Sequence, residues 1–311
     1  MATGGPELLP NLIIAGVSKG GTTSLFRYLA QHPDICPSTI KEVRYFEPVR
    51  YGEPLGPIES YARHFGHCTG QRYRMEATPS YFGGGRPVAT AMHDSLDDDA
   101  RVLVCLREPV QRCWSWYQFV RGRGRIPKAM GFETYLDACE ELHSAGLDGR
   151  RENQPYSGLL GGCYDEWLQA WQELFGERLH VLFFDDLVAD PRSAVVATLR
   201  WLAVDERAAA DFRYTVENRS VQYRSRPVLE AALFLNRRAE AFFARHGGLK
   251  RVLRSAYHVV NRDPATEVLP PAARDRLAAF YAPHNAGLAA ALRSAGTSDL
   301  PDWLARSAGQ K

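Results

Sequence analysis

The residues best suited to chemistry lie in a glycine-rich turn near the N-terminus, within Asn11 to Leu29 (NLIIAGVSKGGTTSLFRYL). The apolar run before the turn predicts a strand, and the apolar spacing after it predicts a helix. Gly16, Gly20 and Gly21 permit a tight turn whose backbone N–H groups face an anion, and the helix N-terminus adds a favourable dipole. Because Lys19 supplies a mobile positive charge, the turn predicts a nucleotide phosphate site.

Hydroxyl-bearing residues continue this pattern into the predicted helix. Its first turn is where hydroxyls and unpaired amides meet phosphate oxygens. The residues that we expect to contact the nucleotide here are Ser18, Lys19, Gly20, Gly21, Thr22, Thr23 and Ser24. The alternative is a strand, turn and helix without a ligand, as many α/β proteins contain.

The order of residues in this turn separates two kinds of phosphate loop. Nucleoside triphosphatases place the lysine after the last glycine and directly before Ser or Thr. Here Lys19 precedes Gly20 and Gly21, so no Lys-Ser/Thr pair remains to seat a magnesium ion. The turn resembles instead the 5′-phosphosulfate loop of sulfotransferases that use 3′-phosphoadenosine 5′-phosphosulfate (PAPS), particularly their carbohydrate and heparan sulfate branch. The resemblance implies PAPS as co-substrate, 3′,5′-adenosine bisphosphate (PAP) as product, no metal, and the P-loop nucleoside triphosphate hydrolase-like sulfotransferase fold.

A second motif carries a candidate base. Glu76 to Phe82 (EATPSYF) resembles the family's E-x-S/T-P-x-Y segment, whose glutamate is the general base, and the resemblance makes Lys19 the residue that stabilises the leaving phosphate. Glu76 closes a predicted strand, and the carboxyl ends of parallel strands surround the ligand crevice, so it is placed to take the acceptor's proton. The alternative is an ion pair between Glu76 and Arg72 or Arg74.

A third motif predicts a site for the 3′-phosphate. Leu106 to Tyr117 resembles the family's L-R-x-P-x-x-R-x-x-S-x-Y, in which the arginine and the serine bind that phosphate. These positions are Arg107 and Ser115 here. A guanidinium offers paired donors to a phosphate, and a hydroxyl on the next helix adds another. We expect Arg112, in the same motif, to make a structural ion pair.

Weaker matches add three groups of candidates. Lys41 to Phe46 looks like K-E-x-x-F-F, which implies that Lys41 contacts the reacting centre, with a solvated charged turn as the equal alternative. Tyr164 lies in a G-x-Y segment that more often serves packing, and we include it as a candidate nucleotide contact. The polar loop 216–227 stands where relatives cover the nucleotide with a basic loop but lacks their K-G-R triplet. Its candidate nucleotide contacts are Asn218, Arg219, Ser220 and Arg224.

The elements that position these residues alternate along the chain. Ala100 to Leu106 and Leu179 to Phe184 are short apolar runs typical of buried parallel strands, each followed by a predicted helix. This alternation predicts a three-layer α/β/α sandwich with a central parallel sheet. We expect residues 1–311 to form a single sulfotransferase domain, with the PAPS-binding core in the N-terminal half and a mostly helical C-terminal part.

Composition limits which partners, metal sites and cellular locations the sequence predicts. A net charge of +2 creates no global field for nucleic acid or for an anionic membrane. The six cysteines are scattered without C-x-x-C pairs, which predicts free buried thiols rather than a zinc site or a disulfide framework. Since no leader pattern and no apolar stretch of about 18 residues is present, we expect a soluble cytoplasmic protein without a membrane anchor, and the Ala- and Arg-rich composition favours a bacterial source.

Together these motifs predict sulfuryl transfer from PAPS to a hydroxyl, with an amine as second choice, of a glycan, glycolipid or secondary metabolite. One rival is a P-loop kinase or NTPase-like phosphotransferase, because Asp185 follows an apolar strand as a magnesium-binding aspartate does, but Gly20 stands where that class needs Ser or Thr. The other rival, a non-catalytic nucleotide-binding protein, leaves Glu76, Arg107 and Ser115 unexplained. The basic loop Arg121 to Arg125 suits an acidic glycan or, more simply, solvent.

Overall fold

The computed structural model describes residues 8–215, 222–223, 262–263 and 267–305. The loop contacts expected at Asn218, Arg219, Ser220 and Arg224 lie outside this part. The strands are β1 (Leu12–Gly16), β2 (Ile35–Pro37), β3 (Tyr73–Ala77), β4 (Arg101–Leu106), β5 (Leu179–Phe183), β6 (Gln222–Tyr223) and β7 (Arg262–Asp263). The α-helices are α1 (Thr22–Leu29), α2 (Glu59–Ala62), α3 (Gly85–Ser95), α4 (Pro109–Gly122), α5 (Phe132–Ser144), α6 (Asp165–Phe175), α7 (Phe184–Ala189), α8 (Pro191–Trp201), α9 (Pro271–Ser294) and α10 (Asp302–Ala305).

Five parallel strands form the main sheet in the order β2-β3-β1-β4-β5. The central strand β1 is buried along its whole length, and Ile13 pairs with Glu76 on one side and with Val102 on the other. This register brings the carboxyl ends of β1, β3 and β4 to one edge, where parallel sheets bind ligands. Strands β6 and β7 make a separate antiparallel pair.

Helices cover both faces of the sheet. Alternate residues of a strand point to opposite faces, and in β1 the side chain of Ile13 joins one core while that of Ile14 joins another. Trp171 of α6 packs in the first core and Leu25 of α1 in the second. This arrangement confirms the predicted α/β sandwich with its parallel sheet.

Two helix starts follow from capping residues that the sequence contains. The Glu108 carboxylate accepts from the Gln111 N–H at 3.0 Å and begins α4, and Asp190 accepts from the amides at the start of α8. In each case a proline occupies the first helical position, where its missing N–H costs nothing. These caps fix the start of α4, directly after β4, and the start of α8, which follows α7.

The cysteine prediction is wrong for one pair. Cys36 and Cys68 form a disulfide with their Cα atoms 5.8 Å apart. Because they stand 32 residues apart, in β2 and beyond α2, only tertiary packing brings them together, and their spacing gave no signal. The other four, Cys105, Cys113, Cys139 and Cys163, are free and buried as expected.

None of the described helices combines the length and the apolar character that a bilayer crossing requires.

We predict that removing this disulfide destabilises the fold. A bridge across 32 residues restricts the unfolded chain, so Cys36→Ser with Cys68→Ser should lower the free energy of unfolding by about 3 kcal/mol. Urea denaturation under non-reducing conditions measures it, with Cys139→Ser as control for loss of a thiol. An unchanged midpoint in the double variant would show that the bridge does not constrain the chain.

Candidate active site

The glycine turn is packed directly against strand β4. The N–H of Val17 donates to the Cys105 carbonyl at 3.1 Å, and the N–H of Gly20 donates to the Val17 carbonyl at 2.9 Å. A Cβ at Gly20 would lie 2.4 Å from the Cys105 oxygen, so no other residue fits there. Gly21 ends the turn with φ +82° and caps α1 without a side-chain hydrogen bond. The first amides of α1 therefore remain oriented toward the site, as anion binding requires.

Lys19 is half-buried within this turn and lies close to other positive charges. Its Nζ lies 4.8 Å from the centre of the Phe119 ring, and its backbone adopts the left-handed φ of 74°. Burial, and after it the charges of Arg107 and Arg123, lowers the pKa of Lys19 to about 8. A bound anion would relieve the repulsion among these cations, so the turn is prepared for a negatively charged ligand.

Glu76 is fully buried at the end of β3. The Tyr61 hydroxyl donates to it at 3.0 Å, and the Thr78 hydroxyl donates to its other oxygen. Burial raises the pKa of Glu76 from 4.5 to about 7, although these hydrogen bonds oppose the rise. A carboxyl that titrates near neutrality is suited to general-base chemistry.

The alternative prediction, an ion pair between Glu76 and Arg72 or Arg74, is wrong. Arg72 donates to the Ala203 carbonyl at 2.5 Å, and Arg74 donates to the Leu9 carbonyl and pairs with Asp97 at 3.7 Å. Both arginines are thus held on other groups, and Glu76 receives hydroxyl donors instead.

Lys41 comes to the same edge because its segment runs along the end of β3. The Glu42 N–H donates to the Ala77 carbonyl at 3.0 Å, and the Arg44 N–H donates to the Thr78 hydroxyl oxygen at 3.1 Å. Lys41 Nζ lies 3.4 Å from Glu42, and burial lowers its pKa while Glu42 and Glu76 act in the opposite direction. Lys41 is therefore close enough to Glu76 for their charges to interact.

Arg107 follows β4 immediately and contacts the glycine turn. Its Nη1 donates to the Lys19 carbonyl at 3.1 Å, and its guanidinium lies 4.5 Å from the centre of the Phe184 ring. Ser115 is buried two turns into α4. The Tyr164 hydroxyl donates to the Arg107 carbonyl at 2.8 Å, so Tyr164 positions the end of β4, and its direct contact with a nucleotide stays a prediction.

Arg112 differs from its expected role. The residue is 2% exposed, its guanidinium donates to the carbonyls of Gly158 and Ser157, and no carboxylate within the described ranges pairs with it. The expected structural ion pair is therefore wrong, because α4 presents this side chain to backbone carbonyls of the turn at 157–161 rather than to an acidic residue.

The site also contains residues that the motifs did not indicate. Phe119 lies beneath the ammonium of Lys19, Tyr61 donates to Glu76, and the Arg123 guanidinium lies 4.2 Å from the same Phe119 ring. Phe119 follows Ser115 by four residues, so helical spacing alone placed it on that side of α4. Nothing in the sequence around Tyr61 indicated its contact with Glu76.

Comparison with known proteins gives a consistent result. A family model described as the sulfotransferase domain matches residues 9–231. A bifunctional heparan sulfate N-deacetylase/N-sulfotransferase 1 of Caenorhabditis briggsae is 28% identical over 207 residues, which cover 64% of this chain and 23% of that protein. Human heparan sulfate glucosamine 3-O-sulfotransferase 5 is 28% identical over 190 residues, covering 60% of this chain and 51% of that protein.

A solved structure supports the fold. A sulfotransferase from Alicyclobacillus acidocaldarius superposes with a TM-score of 0.67, at 24% identity, over 94% of this chain and 98% of that one. Because the chain spans between a quarter and about half of those curated relatives, their complete activities do not transfer to it. The resemblance drawn from the sequence, to PAPS-dependent sulfotransferases of the carbohydrate branch, is confirmed.

We predict that Phe119 sets the ionisation of Lys19. Replacing Phe119 with Leu removes the aromatic face that stabilises the ammonium, and the pKa of Lys19 should fall below about 8, by roughly half a unit to one unit. Nitrogen-15 NMR titration of lysine-labelled protein measures it. Phe119→Tyr should keep the wild-type value, and Phe280→Leu, whose ring contacts those of Tyr281 and His284, controls for general loosening. An identical Lys19 titration in Phe119→Leu would contradict the cation–π contact.

Proposed function

We propose that this chain, which belongs to the sulfotransferase family, transfers a sulfuryl group from PAPS to a hydroxyl of a carbohydrate acceptor. The observation that carries the proposal is a pair of ionisable groups at one sheet edge whose pKa values are both shifted mainly by desolvation. Glu76 lies near the end of β3, and Lys19 lies in the turn that follows the neighbouring strand β1. Desolvation shifts the pKa of Glu76 to about 7 and that of Lys19 to about 8. The first suits a base and the second a cation that stabilises a leaving group.

The donor side of the site fits the charge of PAPS. The uncapped amides of α1 and the ammonium of Lys19 would hold the 5′-phosphosulfate, and Arg107 and Ser115 would hold the 3′-phosphate. Arg107 links the two halves, because its side chain donates to the Lys19 carbonyl. Binding of the donor anion should raise the pKa of Lys19 again, so that the lysine is protonated when the bond breaks.

The transfer step follows from this placement. The acceptor oxygen forms a bond to sulfur while the bond between sulfur and the phosphate oxygen breaks, and Glu76 takes the acceptor's proton. PAP leaves with its new negative charge beside Lys19. Tyr61 and Thr78 hold the carboxylate of Glu76 in one orientation, and Lys41 adds positive charge close to the reacting centre.

The acceptor class rests on the relatives. Their names specify heparan sulfate and both amino and hydroxyl acceptors, and we extend to this chain only the carbohydrate class. We retain from the sequence the further proposals that residues 1–311 form one domain, that the protein is bacterial and cytoplasmic, and that Asn218, Arg219, Ser220 or Arg224 covers the nucleotide.

The phosphotransferase alternative is less well supported. Its magnesium aspartate would be Asp185, but that carboxylate accepts from the Trp303 indole N–H at 3.2 Å, and Gly20 occupies the position of the required hydroxyl. Calorimetry separates the two functions: we expect the protein to bind PAP without metal. Binding of ATP with magnesium, together with no affinity for PAP, would eliminate the sulfotransferase proposal.

We predict a bell-shaped pH profile for kcat/KM with PAPS, which reports the free enzyme. The rate should rise with pH as Glu76 ionises near 7 and fall as Lys19 loses its proton near 8. Lys19→Arg keeps a positive charge at all accessible pH values, so the alkaline limb of the profile should shift to higher pH while the acid limb keeps its position. An alkaline limb that does not move would remove Lys19 from the profile.

We predict that Glu76→Gln lowers the turnover rate, leaves PAP affinity nearly unchanged, and removes one pH-dependent contribution to stability. Loss of the base should lower kcat by about 10²-fold or more with little change in PAP affinity.

The raised pKa means that the folded protein binds more protons than the unfolded chain between pH 4.5 and about 7, so wild-type stability should fall as pH rises through this window. The free energy of unfolding that Glu76 contributes should fall by about 3 kcal/mol across this pH window.

Urea denaturation of both proteins at pH 4 and pH 8 measures the stability effect. The wild type should lose stability relative to Glu76→Gln between these pH values. A constant difference would show that Glu76 has an ordinary pKa, and a loss confined to PAP affinity would show that it is not the base.

A further inference from the structure

Three side chains that can ligate a metal ion lie together at the edge of the main sheet. Cys36 belongs to the edge strand β2, and His67 and Cys68 follow α2. One ligand atom from each of the three lies within 4.8 Å of the other two, and Nε2 of His67 is 3.4 Å from Sγ of Cys36. The motifs of the candidate active site include none of these residues.

The disulfide between Cys36 and Cys68 does not account for the position of His67. A sulfur in a disulfide has no proton to donate and is a weak acceptor, so an imidazole gains little from contacting it. His67 is exposed, so water could satisfy its ring nitrogens instead. Two cysteine sulfurs and one imidazole nitrogen are, by contrast, a ligand set that zinc prefers.

The spacing of these atoms suits a tetrahedral ion. Zinc bonds of about 2.3 Å to sulfur and about 2.0 Å to nitrogen place the two ligand atoms roughly 3.5 Å apart. The separation between Cys36 Sγ and His67 Nε2 is 3.4 Å. Because the thiolate is the form of cysteine that binds metals, Cys36 and Cys68 become ligands only after the disulfide is reduced.

Hydrogen bonds other than the disulfide join the two segments that carry these residues. The Thr39 N–H donates to the His64 carbonyl at 3.1 Å, and Oγ1 of Thr39 lies 2.8 Å from Nδ1 of His64. The Cys68 N–H donates to the Phe65 carbonyl at 2.9 Å, which fixes the turn that follows α2. These contacts should keep the three ligands near one another when the disulfide opens.

We propose that Cys36, His67 and Cys68 form a zinc site when their disulfide is reduced. A dithiol reductant gives two electrons to the bond between the sulfurs, each sulfur takes up one proton, and the reductant becomes a disulfide. Zn²⁺ then forms a bond to each sulfur and to the imidazole, and the two thiol protons pass to solvent. Water takes the fourth position.

The ion would preserve a connection on which the candidate active site depends. Helix α2 lies between β2 and the other two ligands along the chain, and its Tyr61 donates to Glu76 at 3.0 Å. In the cytoplasm that we propose for this protein, thiol reductants would open the disulfide. Zinc would then hold the segment after α2 against β2. The site is independent of sulfuryl transfer, which uses no metal in our proposal.

The test uses the whole protein, treated with a chelator and then reduced with a phosphine, and Cd²⁺ as a spectroscopic substitute for Zn²⁺. Cadmium bound to thiolates absorbs in the ultraviolet, so one titration gives the stoichiometry and the affinity. The variants are Cys36→Ser and His67→Gln. Their matched controls are Cys139→Ser, which removes another buried thiol, and His93→Gln, which removes a histidine of α3.

Reduced wild type should bind one Cd²⁺ per chain with thiolate absorption, and the oxidised protein should show no such absorption. Loss of Cys36 or of His67 should weaken binding by about 100-fold or more, since even outer-shell partners contribute roughly 10–100-fold. Both controls should behave as wild type. Missing absorption in the reduced wild type, or undiminished affinity in either variant, would overturn the site.

A measurement without any substitution covers the case in which Cys36→Ser fails to fold. Zn²⁺ should raise the urea midpoint of the reduced wild type and leave that of the oxidised protein unchanged, because the folded reduced form binds the ion more tightly than the unfolded chain. Equal midpoints of the reduced protein with and without Zn²⁺ would refute the site. PAP affinity that persists in that case leaves the proposed donor chemistry intact.

Discussion

The site depends on the removal of two opposite charges from water at one edge of the sheet. Glu76 is fully buried and Lys19 is half-buried, and desolvation is the largest influence on the pKa of both, raising that of the carboxyl to about 7 and lowering that of the ammonium to about 8. In water these groups would titrate near 4.5 and 10.5, and neither would respond to a change of ligand near neutral pH. The proposed transfer depends on the environment that these two groups share.

The sheet register creates this environment. Because Ile13 of β1 pairs with Glu76 of β3, the glycine turn that follows β1 and the polar end of β3 are neighbours. Aromatic rings then exclude water around the carboxylate: Tyr61 stacks on Tyr45 with centroids 4.5 Å apart and also donates to Glu76. On the other side, Phe119 supports the ammonium of Lys19 without neutralising it. The cation therefore stays available for an anionic donor.

The sequence contained most of the fold and the chemical groups of the site. The apolar runs that became β1, β4 and β5 and the E-x-S/T-P-x-Y segment at the end of β3 were recognisable because parallel strands and their polar ends have local signatures. The Cys36–Cys68 disulfide was missed because its spacing carries no signature, and the carbonyl partners of Arg112 were missed because they come from a distant turn. Long-range packing has no period along the chain, so contacts such as Tyr61 to Glu76 required the structure.

The central claim is that desolvation alone makes Glu76 a base that works near neutral pH. Infrared difference spectroscopy of the wild type against Glu76→Gln isolates the carboxyl band of this one residue, and a pH titration of that band gives its pKa directly. The account predicts a midpoint near 7 in the unliganded protein. A midpoint near 4.5, the value of a solvated glutamate, would contradict it.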